Sequence, residues 1–192
     1  MFLQSISTAV PPHVFTQRDC LEIASRTDAV KRLKPRSLSL LMKVFGGDSG
    51  IAKRHFSVPD PAALFDRSAE ELNRGFEDAA PELAGAAVRK ALDEAEITPG
   101  EVDALFLCTC TGYLCPGVTS HVAEQMGMRA DVYLNDLVGL GCGAAVPMLR
   151  SAHGYLAANP EAVVVTVAVE VCSAAFFIAD DAGVLISLCL FG

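Results

Sequence analysis

No uninterrupted apolar run in these 192 residues comes near the roughly 20 that a membrane-spanning helix needs. The mostly apolar stretch Val163–Val169 is far too short and carries strand-type residues. Met1–Val10 also lacks the charged start and long apolar middle of a secretory leader. Positive charge is scarce: 15 Lys and Arg against 23 Asp and Glu leave a formal charge of −8, which argues against nucleic acid as a main partner. The seven cysteines are odd in number and scattered, without the close spacings of a disulfide framework. They read as reduced thiols in a cytoplasmic protein. There is no repeat at fixed period and no low-complexity tract.

What is present is an apolar chain, 52% by residue, long enough for one ordinary domain or two very small ones. That content predicts a heavily buried sheet, or a face that meets another domain or subunit. Phe2–Val10 reads as a strand ending at Pro11-Pro12, and Thr16 as the cap of a helix through about Arg26. Ser37–Phe45 reads as a short amphipathic helix and Ile51–Val58 as a strand. From Ser68 to Glu96 helical spacing dominates, with Pro81 predicting a kink or two consecutive helices. Strands are then expected at Val102–Thr111, Val132–Asn135 and Ala162–Glu170, the last covered on both faces, with another at Val184–Leu190. Helices at Thr119–Met126 and Cys142–Ala158 alternate with them, which implies an α/β layer with a largely parallel sheet. The strand-like end at Leu190-Phe191-Gly192, without a polar tail, reads as a cut.

The most informative stretch is Gly139-Leu-Gly-Cys-Gly-Ala-Ala-Val-Pro147, between an expected strand and an expected helix. A cysteine flanked by glycines at such a turn can be held by a sharp bend with its thiol at the first helical turn, where the helix dipole favours thiolate. Cys142 is therefore the candidate nucleophile for acyl transfer, although most cysteines in reduced proteins are small buried hydrophobes. A rival reading takes Gly139, Gly141 and Ala144 as a G-x-G-x-x-G/A dinucleotide turn, with Glu170 as the ribose-binding carboxylate.

Cys108, Cys110 and Cys115 are spaced C-x-C-x4-C, without the C-x2-C knuckle of structural zinc sites, and read as structural or pocket-lining thiols; no metal is expected. None of His13, His55, His121 and His153 occupies a recognisable catalytic setting. The base that a cysteine nucleophile normally needs is missing. Lys31, Arg32, Lys34, Arg36, Lys43, Lys53 and Arg54 form a basic segment in an acidic chain. It reads either as a solvated helix face or as a mouth attracting a phosphorylated ligand such as a coenzyme A thioester.

Three blocks together carry a family resemblance. Cys108-Thr-Cys-Thr-Gly-Tyr-Leu-Cys-Pro-Gly117 is similar to C-T-T-S-G-x-x-M-P-G, and Gly141-Cys-Gly-Ala-Ala145 to G-C-F-A-G. Glu170-Val-Cys-Ser and Leu190-Phe-Gly192 are similar to E-I-T-A and L-F-G. From about residue 1 to its end, the chain resembles the N-terminal half of a type III polyketide synthase, the chalcone and stilbene synthase family, in its bacterial form.

The resemblance implies a thiolase-like fold, of which residues 1–192 would be the N-terminal half: layered helices around a mixed, largely parallel sheet. It implies an acyltransferase, a cytoplasmic homodimer that needs no cofactor and takes acyl-CoA and malonyl-CoA as substrates. Cys142 would hold the growing chain as a thioester. Cys110, Thr111, Cys172 and Ala175 would line the cavity, Phe191 would stand between coenzyme A tunnel and cavity, and Cys115 would reach across the dimer. By the same resemblance the Cys115–Pro116 bond would be cis. The family's coenzyme-A-binding basic residues fall here on Leu41, Val44 and Asp48, so phosphate contacts would shift to Lys43, Lys53 or Arg54. Its catalytic histidine and asparagine lie in the other half, so these residues alone are expected not to condense. Ketoacyl synthase III and hydroxymethylglutaryl-CoA synthase place a cysteine at a comparable turn; the Cys108–Gly117 block favours the polyketide synthase.

Overall fold

The structure, a computed structural model, describes residues 2–47 and 50–190. Two compact units emerge: residues up to Val10 together with Phe76–Glu170, and Pro11–Gly75 together with the stretch from Val171 onward.

In the second of these units, β1 (His13–Thr16) and β2 (Lys53–Phe56) form an antiparallel pair. Helix α1 (Gln17–Arg26) starts at the expected cap. The Asp19 N–H donates to Thr16 Oγ1, and the Thr16 N–H to the Asp19 carboxylate, which satisfies two orphan donors of the first turn. A short α2 (Asp28–Lys31) follows. Helix α3 (Pro35–Gly46) opens with proline at its first position, where the missing N–H costs nothing. Cys20, Ala24, Val30, Leu41, Phe45 and Leu64 share this unit's core.

In the first unit, β3 (Ala104–Thr109), β4 (Tyr133–Val138) and β5 (Val164–Ala168) form a parallel sheet in the order β4-β3-β5. All six residues of β3 are buried. The strand covered on both faces is thus β3 rather than the β-branched run at β5, where Val167 alone is buried: flanking strands close the edges of β3 and helices cover its faces. Helix α5 (Val118–Met126) lies against β3 and β4, and α6 (Ala145–Ala158) against β3 and β5. The pleat sends Ala104, Phe106 and Cys108 into one cluster with Met148 and Ala152 of α6.

Helix α4 (Ala69–Ala95) passes Pro81 without being divided. Phe76, Ala80, Ala84, Val88 and Leu92 are buried at strict four-residue spacing on both sides of the proline, and that burial outweighs one lost hydrogen bond. Two of the expected strands do not form. Phe2–Val10 belongs to no strand and, among the described residues, has no ladder partner; Phe2, Leu3, Ile6 and Val10 are exposed. Val184–Leu190 belongs to a helix, α7 (Ala182–Leu190), not a strand. Asp181 caps it by accepting the Val184 N–H at 2.9 Å, and Leu185 and Cys189, four apart, are buried in the core. The apolar run hid the helical period. Phe191 and Asp48 lie outside the described residues. No helix among those described is long and apolar enough to cross a membrane.

Candidate functional site

The carboxyl ends of β3, β4 and β5 bring together residues from three distant stretches. After β4 the chain turns through Gly139 and Gly141, with φ of +76° and +69°, a left-handed region closed in practice to most side chains. Between them and α6, Gly141–Gly143 form one turn of 3-10 helix that carries Cys142 with an exposed side chain. The expected α-helix over Cys142–Ala158 therefore begins at Ala145, with Cys142 a tight turn ahead of it; no side chain caps either start.

Cys110 lies one residue past the end of β3. Its Sγ is 3.8 Å from Cys142 Sγ. The Glu170 carboxylate, just past β5, accepts the Cys110 N–H at 2.9 and 3.1 Å and the Thr109 hydroxyl at 3.3 Å. Thr109 Oγ1 in turn accepts the Thr111 N–H, and the two threonine hydroxyls stand 3.4 Å apart. The backbone of 109–111 is thus clamped so that Cys110 faces the Cys142 turn. Partial desolvation, then the adjoining Glu170 carboxylate and the Cys142 sulfur, push the Cys110 thiol up to about 12, so it stays protonated at neutral pH.

Of the residues singled out from sequence, the structure brings Cys142, Cys110 and Thr111 to one place. Cys115 is exposed on the loop before α5, and its bond to Pro116 is cis. Cys172 and Ala175 lie in the other unit, on a 3-10 turn anchored by the buried Ser173, whose Oγ is 2.6 Å from Ser57 Oγ. Lys43 and Lys53 are exposed. Arg54, the third basic residue expected at a coenzyme A contact, is turned into its own unit. Its side chain is 2% exposed, donates to Gln17 Oε1 at 3.0 Å and to the Cys189 carbonyl, and stacks on the Phe45 ring. A guanidinium so enclosed builds the core of its unit.

The dinucleotide reading also fails on topology. In that motif the glycine turn joins two adjacent parallel strands, whereas β3 lies between β4 and β5. The carboxylate assigned to a ribose is instead occupied by Cys110 and Thr109. Glu170 as the clamp on Cys110 escaped the sequence reading. The signal was its place at the end of a strand beside β3, visible only once the strand order is known. No group of His, Cys, Asp and Glu among the described residues is arranged to hold a metal ion.

A parallel sheet layered by helices, with a cysteine on a left-handed glycine turn at its carboxyl end, fits the thiolase-like fold shared by the solved structures to which this chain is similar. The family follows from comparison with known proteins. A model of the FAE1/type III polyketide synthase-like proteins matches residues 11–192, and the chain belongs to that family. It is 31% identical over 188 residues to 1,3,6,8-tetrahydroxynaphthalene synthase of Streptomyces coelicolor, covering 97% of this chain and 49% of that protein. The crystal structure of tetrahydroxynaphthalene synthase from Streptomyces coelicolor A3(2) superimposes with a TM-score of 0.81 at 29% identity, covering 98% of this chain and 54% of that one. CsyB complexed with CoA-SH gives a TM-score of 0.73 at 25% identity, over 88% of this chain and 46% of that one. The chain spans about half the length of the curated relatives it matches.

Proposed function

We propose that this chain is the N-terminal half of an iterative condensing enzyme, in which the Cys142 thiolate accepts an acyl group from coenzyme A and holds it as a thioester. Malonyl-CoA, decarboxylated, would supply the enolate that attacks that thioester. The observation that carries the reading is the exposed Cys142 thiol on its left-handed glycine turn, in a chain of this family. Cys110 and Thr111 would border the growing chain. Cys115, Cys172, Ala175 and Phe191 enter as further cavity positions by resemblance alone. Lys43 and Lys53 remain for the coenzyme A phosphates, and the assembly in this reading is a cytoplasmic homodimer.

The half-fold reading is supported by α6, whose Val146 and Leu149 are 65% and 50% exposed, apolar area of the kind a second half would cover. It also assigns the proton-handling groups elsewhere. His153 lies on α6 eleven residues after Cys142, on the order of 15 Å along a helix axis. These residues alone would then take up an acyl group without extending it.

Intact-mass measurement after exposure to a panel of acyl-CoAs tests the first step. An acyl adduct on the wild-type chain that Cys142→Ala lacks is expected; no adduct, or one that survives the substitution, overturns the reading. Robust decarboxylation of malonyl-CoA by this chain alone would overturn the half-enzyme part.

A further inference from the structure

The mechanism proposed above uses one thiol, yet two stand together at the end of the sheet. Cys110 and Cys142 follow different strands, β3 and β4, both are exposed, and their sulfurs are 3.8 Å apart, near van der Waals contact. The five other thiols differ in setting: Cys20, Cys108 and Cys189 are buried, Cys172 is half-buried in the other unit, and Cys115 stands on the loop before α5. A disulfide bond is about 2.05 Å long, so closure needs an approach of somewhat under 2 Å. The surroundings permit it. Cys142 rides on a turn entered through two left-handed glycines, and a Cβ built at Gly139, Gly141 or Gly143 would meet nothing within 4 Å. Cys110 sits just beyond the last paired residue of β3.

We infer that Cys110 and Cys142 form a redox pair, which a hydroperoxide closes into a reversible intramolecular disulfide that withdraws Cys142 from acyl transfer. The disulfide stands on the geometry alone; its consequence for acyl transfer rests on the function proposed above. The chemistry balances in two steps. The Cys142 thiolate attacks the hydroperoxide, the O–O bond breaks, and Cys142 becomes a sulfenic acid while the expelled alkoxide or hydroxide takes up the proton released when the thiol ionised and departs as alcohol or water. The Cys110 sulfur then attacks the Cys142 sulfur, the S–OH bond breaks, and the hydroxyl leaves as water with the proton that Cys110 carried. Two thiols lose two electrons, and the hydroperoxide gains them.

The arrangement fixes the order of events. Partial desolvation, and after it the adjoining Glu170 carboxylate, keep the Cys110 thiol protonated and slow to meet peroxide, which leaves the exposed Cys142 as the sulfur that reacts first in this scheme. Cys110 then lies within reach of the sulfenic acid before a second oxidation gives the irreversible sulfinic acid. The pair would therefore spare the nucleophile as well as silence it.

The test uses the whole chain, treated with hydrogen peroxide and digested without reduction. A peptide cross-linked through Cys110 and Cys142 is expected, with two titratable thiols lost, an intact mass lower by about 2 Da, and both restored by dithiothreitol. Cys110→Ser should accumulate sulfinic acid at Cys142, heavier by about 32 Da, under the same exposure. Cys115→Ser should cross-link as wild type does. Sulfinic acid at Cys142 in the wild-type chain without the cross-link, or a cross-link joining other cysteines, would overturn the pair. A chain that forms the disulfide but takes no acyl group when reduced would count against the proposed function and leave the pair standing.

Discussion

Glu170 grips the backbone N–H of Cys110 through both carboxylate oxygens, at 2.9 and 3.1 Å, across the gap between the ends of β5 and β3. One carboxylate thereby does two things. It fixes the loop that presents Cys110 to Cys142, and its charge opposes ionisation of the Cys110 thiol.

Replacing Glu170 by Gln keeps an acceptor for the Cys110 N–H and removes the charge. With Cys142→Ala as background, so that one site thiol is followed, the added Glu170→Gln substitution should lower the Cys110 pKa from its elevated value. It should remain above an ordinary thiol, because desolvation, the largest cause, is unchanged. A pKa lower by one gives about ten times more thiolate at any pH well below it. Alkylation of Cys110 by iodoacetamide across pH, read by peptide mass, should show its midpoint move down; an unmoved midpoint would sink the assignment.

The turn that carries Cys142 rests on two left-handed glycines and tolerates change at the third. Gly139→Ala and Gly141→Ala should each cost about 1–2 kcal/mol, since an L side chain there meets its own backbone. Gly143→Ala has no positive φ and open space around the new methyl group, so it should stay within about 0.5 kcal/mol. Urea midpoints with unchanged slopes would distinguish them. Equal losses at all three positions would contradict this backbone path.

How much of this was legible beforehand follows from what each signal depends on. The turn at Cys142 was readable because glycine before a helix start is a local signal, and α1 because Thr16 and Asp19 form their box three residues apart. Local apolar content misled at α7, where the exposed Ile186 and Leu190 are as apolar as the buried Leu185 and Cys189, so composition shows no period. It misled again at β5, whose β-branched composition suits a central strand while the sheet order leaves it half-buried. Arg54 and Glu170 were beyond sequence reasoning for the same reason. Gln17 and Cys189 meet Arg54 from 37 and 135 residues away, and Cys110 meets Glu170 from 60.

The basic segment should divide by experiment as it does by burial. Arg54→Met removes charged hydrogen bonds to Gln17 and the Cys189 carbonyl and should destabilise its unit by about 2–3 kcal/mol. Lys43→Ala and Lys53→Ala, on exposed positions, should leave stability within about 0.5 kcal/mol and weaken coenzyme A binding in calorimetry. An Arg54→Met chain that keeps its thermal midpoint and loses coenzyme A binding would return Arg54 to the ligand site.

Gly112 supplies the sharpest packing test. A Cβ there would overlap the ring of Phe76, itself 1% exposed, so the loop after β3 runs directly over the helix that bears that ring. Gly112→Ala must displace either backbone or ring and should cost about 1–3 kcal/mol by overpacking. Phe76→Leu alone should cost on the order of 1 kcal/mol for its lost volume. Because the smaller side chain clears the space the new methyl group needs, the double variant should lose less than the two single losses together. Residues in direct contact show such coupling, of about 0.5 kcal/mol or more, and distant ones do not. Strict additivity in urea unfolding would mean that Gly112 and Phe76 do not touch, and the described path of the 109–112 loop would be wrong.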